Sequence, residues 1–324
     1  MYPDKKKISI LLLMLWLVLS ATALAAEGPS VHGQLRVQGS QLTDAKGQPV
    51  VLRGMSTHGM QWFPQFANGA AFHELHNRGA NLIRIAMYTD QDGYIANPAI
   101  KTAIYQAIDA AIAQDMYVII DWHILNDSNP RTYENQARQF FAETSQRYAG
   151  QPALLYEICN EPNQGADWQR DIKPYAEDIL TAIRKNAPAA IVIVGTPNWS
   201  QQVDTAAQDP LSAPNIMYAC HFYAGTHGQW LRDKIDAALA KQAAVFISEW
   251  GTSAADGSGG IYLDSAEAWL QFMASRKLSW ANWSLCDKSE SSAALLPGTP
   301  PTGPWTNANL SPSGAFVFAH FTNP

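Results

Sequence analysis

Two glutamates, Glu161 in Asn160-Glu161-Pro162 and Glu249 in Ser248-Glu249-Trp250, each stand at the end of a short apolar run. So do His58, Trp62 and Phe63, Tyr88, Asp121-Trp122-His123, Trp199, His221, Tyr223 and Trp283. Carboxylates, imidazoles and indoles gathered in this way suit acid and base work on a neutral ring-shaped substrate. One carboxyl group holds a proton for a leaving oxygen while a second, ionised, meets an oxocarbenium-like centre, as glycosidic bond cleavage requires. Sugar rings present apolar C–H faces that stack on indoles, and Trp62, Trp199 and Trp283 offer such faces. Taken singly, each residue has a plainer reading, since a run-end Glu is more often a surface ion pair or helix cap and a Trp more often fills a core. Arg84 changes the weighing. It lies inside Leu82-Ile83-Arg84-Ile85, where a guanidinium is costly unless a carboxylate faces it. Glu249 and Glu161 are the run-end candidates to do so, with a purely structural Arg84–Glu pair as the alternative.

The elements that must position these residues repeat. Apolar strand-like runs at residues 50–54, 82–87, 117–120, 153–158, 191–194, 216–219, 245–247 and 278–283 recur at roughly the 30-residue length of a strand-helix-strand unit. A shorter β-like run, 33–37, precedes them. Helix-period segments fall between most of the eight, clearest at 98–114, 133–148, 167–186 and 264–275, and a last helix is expected over 313–321. Eight such units predict a single-domain α/β fold, the (β/α)8 or TIM barrel, with its chemistry at the C-terminal ends of the strands. The Pro/Gly-rich stretch 297–304 then reads as a long final loop, because too little chain follows it to make another module.

Composition narrows the partners. The chain has 324 residues and a formal net charge of −6, with no basic run beyond Lys5-Lys6-Lys7, so no nucleic acid partner is expected. That run, the apolar segment 8–19 and the small residues 21–26 read together as an export signal cleaved after Ala25. The mature domain, 26–324, is then expected to be secreted, to an extracellular or periplasmic location, and free of the membrane. Cys159, Cys220 and Cys286 form no CxxC pair and no disulfide framework.

The motifs resemble glycoside hydrolase family 5, and most closely its bacterial endo-β-1,4-glucanases. The matching segments are Leu52-Arg53-Gly54-Met55-Ser56-Thr57-His58-Gly59-Met60-Gln61-Trp62, Val118-Ile119-Ile120-Asp121-Trp122-His123 and Tyr156-Glu157-Ile158-Cys159-Asn160-Glu161-Pro162-Asn163. His221-Phe222-Tyr223, Ile247-Ser248-Glu249-Trp250-Gly251-Thr252-Ser253 and Asp287-Lys288-Ser289-Glu290 complete the set, in family order over nearly the whole mature chain. The resemblance implies a barrel with a retaining mechanism, Glu161 as acid/base and Glu249 as nucleophile. It implies that Arg84 and Tyr223 hydrogen-bond Glu249, that Asn160 meets the sugar 2-hydroxyl, and that His58, His123 and His221 line the subsites of the cleaved bond above Trp283. Tyr88, Trp62, Lys288 and Glu290 would hold sugars on the non-reducing side, Trp199 would face the leaving group, and Ala255-Asp256 would approach the sugar. Phe63, beside Trp62, and Ser289, between Lys288 and Glu290, join the expected substrate-binding set. Cys159 and Cys286 depart from the small residues expected at their positions.

The same barrel could cut mannan, xyloglucan or mixed-linkage glucan, and only Lys288-Ser289-Glu290 leans toward β-1,4-glucan. With no carbohydrate-binding module beside the barrel, soluble or amorphous glucan is the expected substrate. A sugar-binding barrel without activity is disfavoured by the presence of both glutamates, Arg84 and Tyr223. A metal-dependent hydrolase built on His58, His123 and His221 is disfavoured because no His-x-His follows the first strand. No metal or cofactor is therefore expected.

Overall fold

Eight runs rich in Ile, Val, Leu and aromatic residues pair side by side, all parallel, into one closed barrel. The computed structural model describes residues 27–322, so the expected leader lies outside the described residues. A short hairpin, β1 (Arg36–Gln38) and β2 (Gln41–Thr43), comes first. The barrel strands follow as β3 (Arg53–Thr57), β4 (Leu82–Tyr88), β5 (Tyr117–His123), β6 (Leu154–Glu157), β7 (Ile191–Val194), β8 (Ile216–Tyr223), β9 (Val245–Gly251) and β10 (Trp280–Leu285), with β10 closing on β3. Helices cover the outside, including Lys101–Ala113, Glu134–Arg147, Lys173–Arg184, Gln229–Ala240 and Leu263–Arg276. The predicted TIM barrel is the observed fold. Among the described residues no helix is long and apolar enough to cross a membrane.

Parallel strands covered on both faces are continuous apolar runs, and these are buried along almost their whole length. The barrel is filled, not hollow. Its lower interior is a layer that includes Leu82, Ile119, Leu155, Ala219, Phe246 and Ala281, packed from below by Leu35, just before β1, and Leu42 in β2. Side chains alternate along a strand, so the position two residues further on returns to the interior. Counting two from that layer gives Arg84, Asp121, Glu157, His221, Ser248 and Trp283. A polar storey thus sits directly on an apolar one, and the site stands on it.

Several strands run past their expected ends. The runs expected at 117–120, 216–219 and 245–247 extend to His123, Tyr223 and Gly251. Polar residues there are paired in the ladder, because the barrel interior supplies them with partners that a sequence pattern does not display. The first strand is shifted from 50–54 to Arg53–Thr57, since it follows the register of Leu82–Arg84 on β4. The register of β8 against β9 slips between Ala219 and His221, which sets His221 opposite Glu249. Such irregularities commonly re-aim side chains beside active sites.

Candidate active site

Arg84 is the centre of the polar storey. Fully buried, it donates from Nε to Glu157 Oε2 at 2.6 Å, from Nη1 to Glu249 Oε2 at 3.0 Å and to Ser56 Oγ at 3.3 Å, and from Nη2 to Asn160 Oδ1 at 2.7 Å. Asp121 Oδ2 lies 2.9 Å from Nη2 as well. Of the two glutamates expected to face it, Glu249 does and Glu161 does not. Glu157 and Asp121 take the remaining places, paired across β5 and β6 in register. Burial works against the Glu157 anion, but Arg84 and His221 outweigh it and bring its carboxyl down to about 2. Burial pushes the Asp121 carboxyl up, against the pull of Arg84.

Glu249, near the end of β9, has a donor on each oxygen: Arg84 on Oε2 and the Tyr223 hydroxyl on Oε1 at 2.8 Å. Two donors, one of them charged, hold a carboxylate in one orientation and suit its anion. Glu161 lies in the loop after β6, where His221 Nδ1 approaches its Oε1 at 2.9 Å. His221 Nε2 meets Ser248 Oγ at 3.0 Å, and Ser248 donates to Glu157 Oε1 at 2.6 Å. A hydroxyl has one hydrogen, so Ser248 accepts from His221, whose Nε2 therefore carries a proton. Burial disfavours the imidazolium, yet the Glu157 carboxylate 3.5 Å away and the Glu161 carboxylate on Nδ1 raise His221 to about 9. Glu161, His221, Ser248, Glu157, Arg84 and Glu249 thus form one continuous chain of contacts.

His123 is the opposite case. Its Nδ1 lies 2.6 Å from Asp121 Oδ2, while Nε2 accepts from the Asn160 amide at 3.3 Å. Burial, then the Arg84 charge, lower it to about 3, so the ring is neutral. Asn160 directs its amide also to the Ile124 carbonyl at 3.0 Å. His58 accepts from the Gly59 amide at 2.7 Å. Burial, with Lys288 and His123 adding to it, lowers His58 to about 3.

Around this core lie two adjoining cavities that share Glu161, Leu125, Tyr223 and Ala255. The first, of about 300 Å³, is lined by His58, Trp62, Tyr88, His123, Glu249, Trp283, Asp256, Lys288 and Glu290, and also by Gln91 and Gly257. Its floor is aromatic, with Trp283 ring centroids 5.0 Å from His58 and 5.4 Å from His123, and Trp62 4.9 Å from Tyr88. Lys288 pairs with Glu290 at 2.6 Å. Phe63 stands behind His58 at 5.0 Å, and Ser289 is exposed outside the lining. The second cavity, of about 420 Å³, holds Trp199, Trp230, Asn198, Gln201, Thr226, His221 and His227.

The loop carrying Trp199 is forced into position. Asn198, Trp199 and Ser200 all have φ between 54° and 58°, a left-handed conformation that costs side-chain-bearing residues energy and persists only where neighbours over-determine it. Here they do, because the Trp199 amide donates to Pro162 O at 3.0 Å and Ser200 Oγ to Asn160 O at 2.7 Å. Gly195 lets the loop approach, since a Cβ there would meet Cys159 O at 2.1 Å. All three cysteines are buried free thiols, and burial pushes Cys286 up to about 11 and the other two higher.

Sequence reasoning missed three kinds of residue. Glu157 and Ser248 stand inside strands, so run-end reasoning passed over them, and Asp121, noted at a run end, was given no part; the two-residue alternation places all three in the interior. Gln91, Leu125 and Gly257 sit in loops with no pattern to mark them. Trp230 opens a helix, Gln229–Ala240, that carries no chemical motif. Among the described residues one trio has metal-ligand spacing, Glu161, His221 and Glu249, with one ligand atom from each within 4.8 Å of the others. Glu161 and His221 are already bonded to each other, and Glu249 to Arg84 and Tyr223, so a cation would have to displace existing partners. The three histidines weighed as metal ligands do not form a cluster of that kind.

Residues 43–289 match the sequence profile of the cellulase family, glycosyl hydrolase family 5. An endoglucanase of Clostridium saccharobutylicum is 53% identical over 97% of this chain, and endoglucanase A of Evansella cellulosilytica is 55% identical over 84%. The chain spans 71% and 56% of the lengths of those two relatives. The catalytic domain of Thermobifida fusca endoglucanase Cel5A superposes with a TM-score of 0.87 at 39% identity, covering 90% of this chain and 98% of that one. Barrel, polar storey and sequence profile agree, and the chain belongs to the cellulase family of glycosyl hydrolases, family 5.

Proposed function

We propose that the protein is a secreted, retaining endo-β-1,4-glucanase in which Glu249 is the nucleophile and Glu161 the acid/base. The spacing carries this reading. A Glu161 oxygen and a Glu249 oxygen lie within 4.8 Å, which fits the about 5–5.5 Å between carboxyl groups in enzymes that form a glycosyl-enzyme better than the about 6.5–9.5 Å that admits a water between them. In the first step Glu249 attacks the anomeric carbon while Glu161 gives its proton to the glycosidic oxygen, whose bond to that carbon breaks. In the second, water gives a proton to Glu161 and its oxygen to the anomeric carbon, and the Glu249 carboxylate leaves. Arg84 and Tyr223 hold Glu249 on line, and the bond from His221 is strongest for the anion that Glu161 becomes between the steps. Trp283 underlies the reacting ring.

Relatives named endoglucanases and the Lys288–Glu290 pair favour glucan over mannan. The open cleft, with Trp62 and Trp199 exposed along it, favours internal cuts. A panel of carboxymethylcellulose, barley glucan, xyloglucan and mannan, with viscosity and product chromatography, tests this. Viscosity should fall faster than reducing ends accumulate; hydrolysis of mannan alone, or release of monomer from chain ends alone, would overturn it. Export belongs to the same reading, and mass spectrometry of the exported protein should find a start near Ala26, an intact Met1 contradicting it.

A further inference from the structure

Three tryptophans are exposed among the described residues, Trp62, Trp199 and Trp230 at 40%, 41% and 46%, while the other described ones are buried. All three line the two cavities that meet at Glu161. An indole left in water forgoes the burial of a large apolar surface, and several of them along one cleft mark a binding surface. Trp62 belongs to the cavity that holds Glu249. Trp199 and Trp230 belong to the other, which holds Glu161 without Glu249 and is therefore the leaving-group side.

These two indoles come from different elements. The backbone of Trp199 is bonded to Pro162, next to Glu161, so its ring serves the sugar adjoining the cut bond. Trp230 comes from a separate element, the first turn of the helix after β8. It is held in place before any ligand arrives, with the His227 ring 5.7 Å away and the Lys234 ammonium 5.7 Å from its centroid. Lys234 is in turn near the Gln201 carbonyl at 3.5 Å and Asp204 at 3.9 Å. A platform fixed in advance loses little freedom when a sugar stacks on it.

We infer that Trp230 is a specificity-determining residue, the stacking surface for the second sugar on the leaving-group side, one ring beyond Trp199. The inference rests on the glucanase reading and adds a position to it. Cellotetraose labelled with ¹⁸O at its reducing end, compared with an aryl cellobioside whose leaving group is too short to reach Trp230, tests it with wild type, Trp230→Ala and Trp230→Phe. In Trp230→Ala the ratio of kcat/KM for the tetraose to that for the aryl cellobioside should fall about three- to tenfold, the worth of one aromatic stack. Cleavage should also move from the middle bond toward the bond nearest the labelled end, and Trp230→Phe should restore the wild-type choice. A helix merely loosened by the substitution would not change which bond is cut. An unchanged ratio and bond choice in Trp230→Ala, in an enzyme whose wild type cuts the tetraose, would overturn the inference alone. A wild type that leaves both glucosides intact would bring down the glucanase reading and the inference with it.

Discussion

Glu157→Gln changes one atom in the barrel interior and should reset the protonation of His221, four bonded groups from the nucleophile. Both Glu157 oxygens accept, Oε2 from Arg84 at 2.6 Å and Oε1 from Ser248 at 2.6 Å. A glutamine has one oxygen and one NH2, and Arg84 has nothing but donors, so the oxygen must face Arg84 and the NH2 must face Ser248. Ser248 could accept from both that NH2 and His221 Nε2, but its own hydrogen would then lose its carboxylate acceptor; turning it to His221 Nε2, which accepts by losing its proton, pairs every group again. With the Glu157 charge gone too, His221 should fall from about 9 toward its ordinary value near 6.5 and carry its proton on Nδ1. Removing one partner of a buried ion pair costs about 3–5 kcal/mol. A protein held by about 5–15 kcal/mol should feel this as a large drop in its denaturation midpoint. Imidazole nitrogen shifts in ¹⁵N-labelled protein at pH 8 read the tautomer directly, and denaturant titration reads the cost. A His221 that stays doubly protonated in Glu157→Gln, with a loss below about 1 kcal/mol, would refute the Ser248 relay.

Stability should peak near pH 6.5. His221, raised to about 9, stabilises fully below its unfolded value of 6.5 and ceases to as pH rises through 9, whereas His58 and His123, lowered to about 3, are protonated between pH 6.5 and 3 only in the unfolded chain and so favour unfolding in acid. Denaturant midpoints across this range check it, and a monotonic rise from pH 6.5 to 9 would contradict it. Activity should persist in a chelator, because Glu161, His221 and Glu249 already have hydrogen-bond partners; loss reversed by zinc would point to a metal in the trio. Ser200→Ala should remove the bond to Asn160 O and leave buried backbone groups unpaired, costing about 1–3 kcal/mol. Its KM for long glucans should rise more than its kcat falls, since Trp199 is what the loop aims.

Much of the barrel was legible because parallel strands buried on both faces are apolar runs, and eight of them at a regular interval leave few other folds. Strand ends were less so. Asp121, His123, His221 and Glu249 look like loop residues when polarity is taken to end a strand, yet the ladder continues through them because they face one another inside. Arg84 declared its need for a carboxylate, but spacing along the chain carries no distance by which to choose among Glu249, Glu161, Glu157 and Asp121. The alternation from Leu155 to Glu157 and from Ile119 to Asp121 was available and settles it once the barrel is closed. Trp230 left no trace, because an indole on a helix reads as core until the surface it faces is known.

The anomer first released by the wild type tests the two-carboxylate mechanism most directly. Proton NMR during hydrolysis of a soluble cello-oligosaccharide, read before mutarotation, should show the β-anomer appearing first, as two inversions at the anomeric carbon require. First appearance of the α-anomer would mean a single displacement by water, and would contradict the assignment of Glu249 as nucleophile.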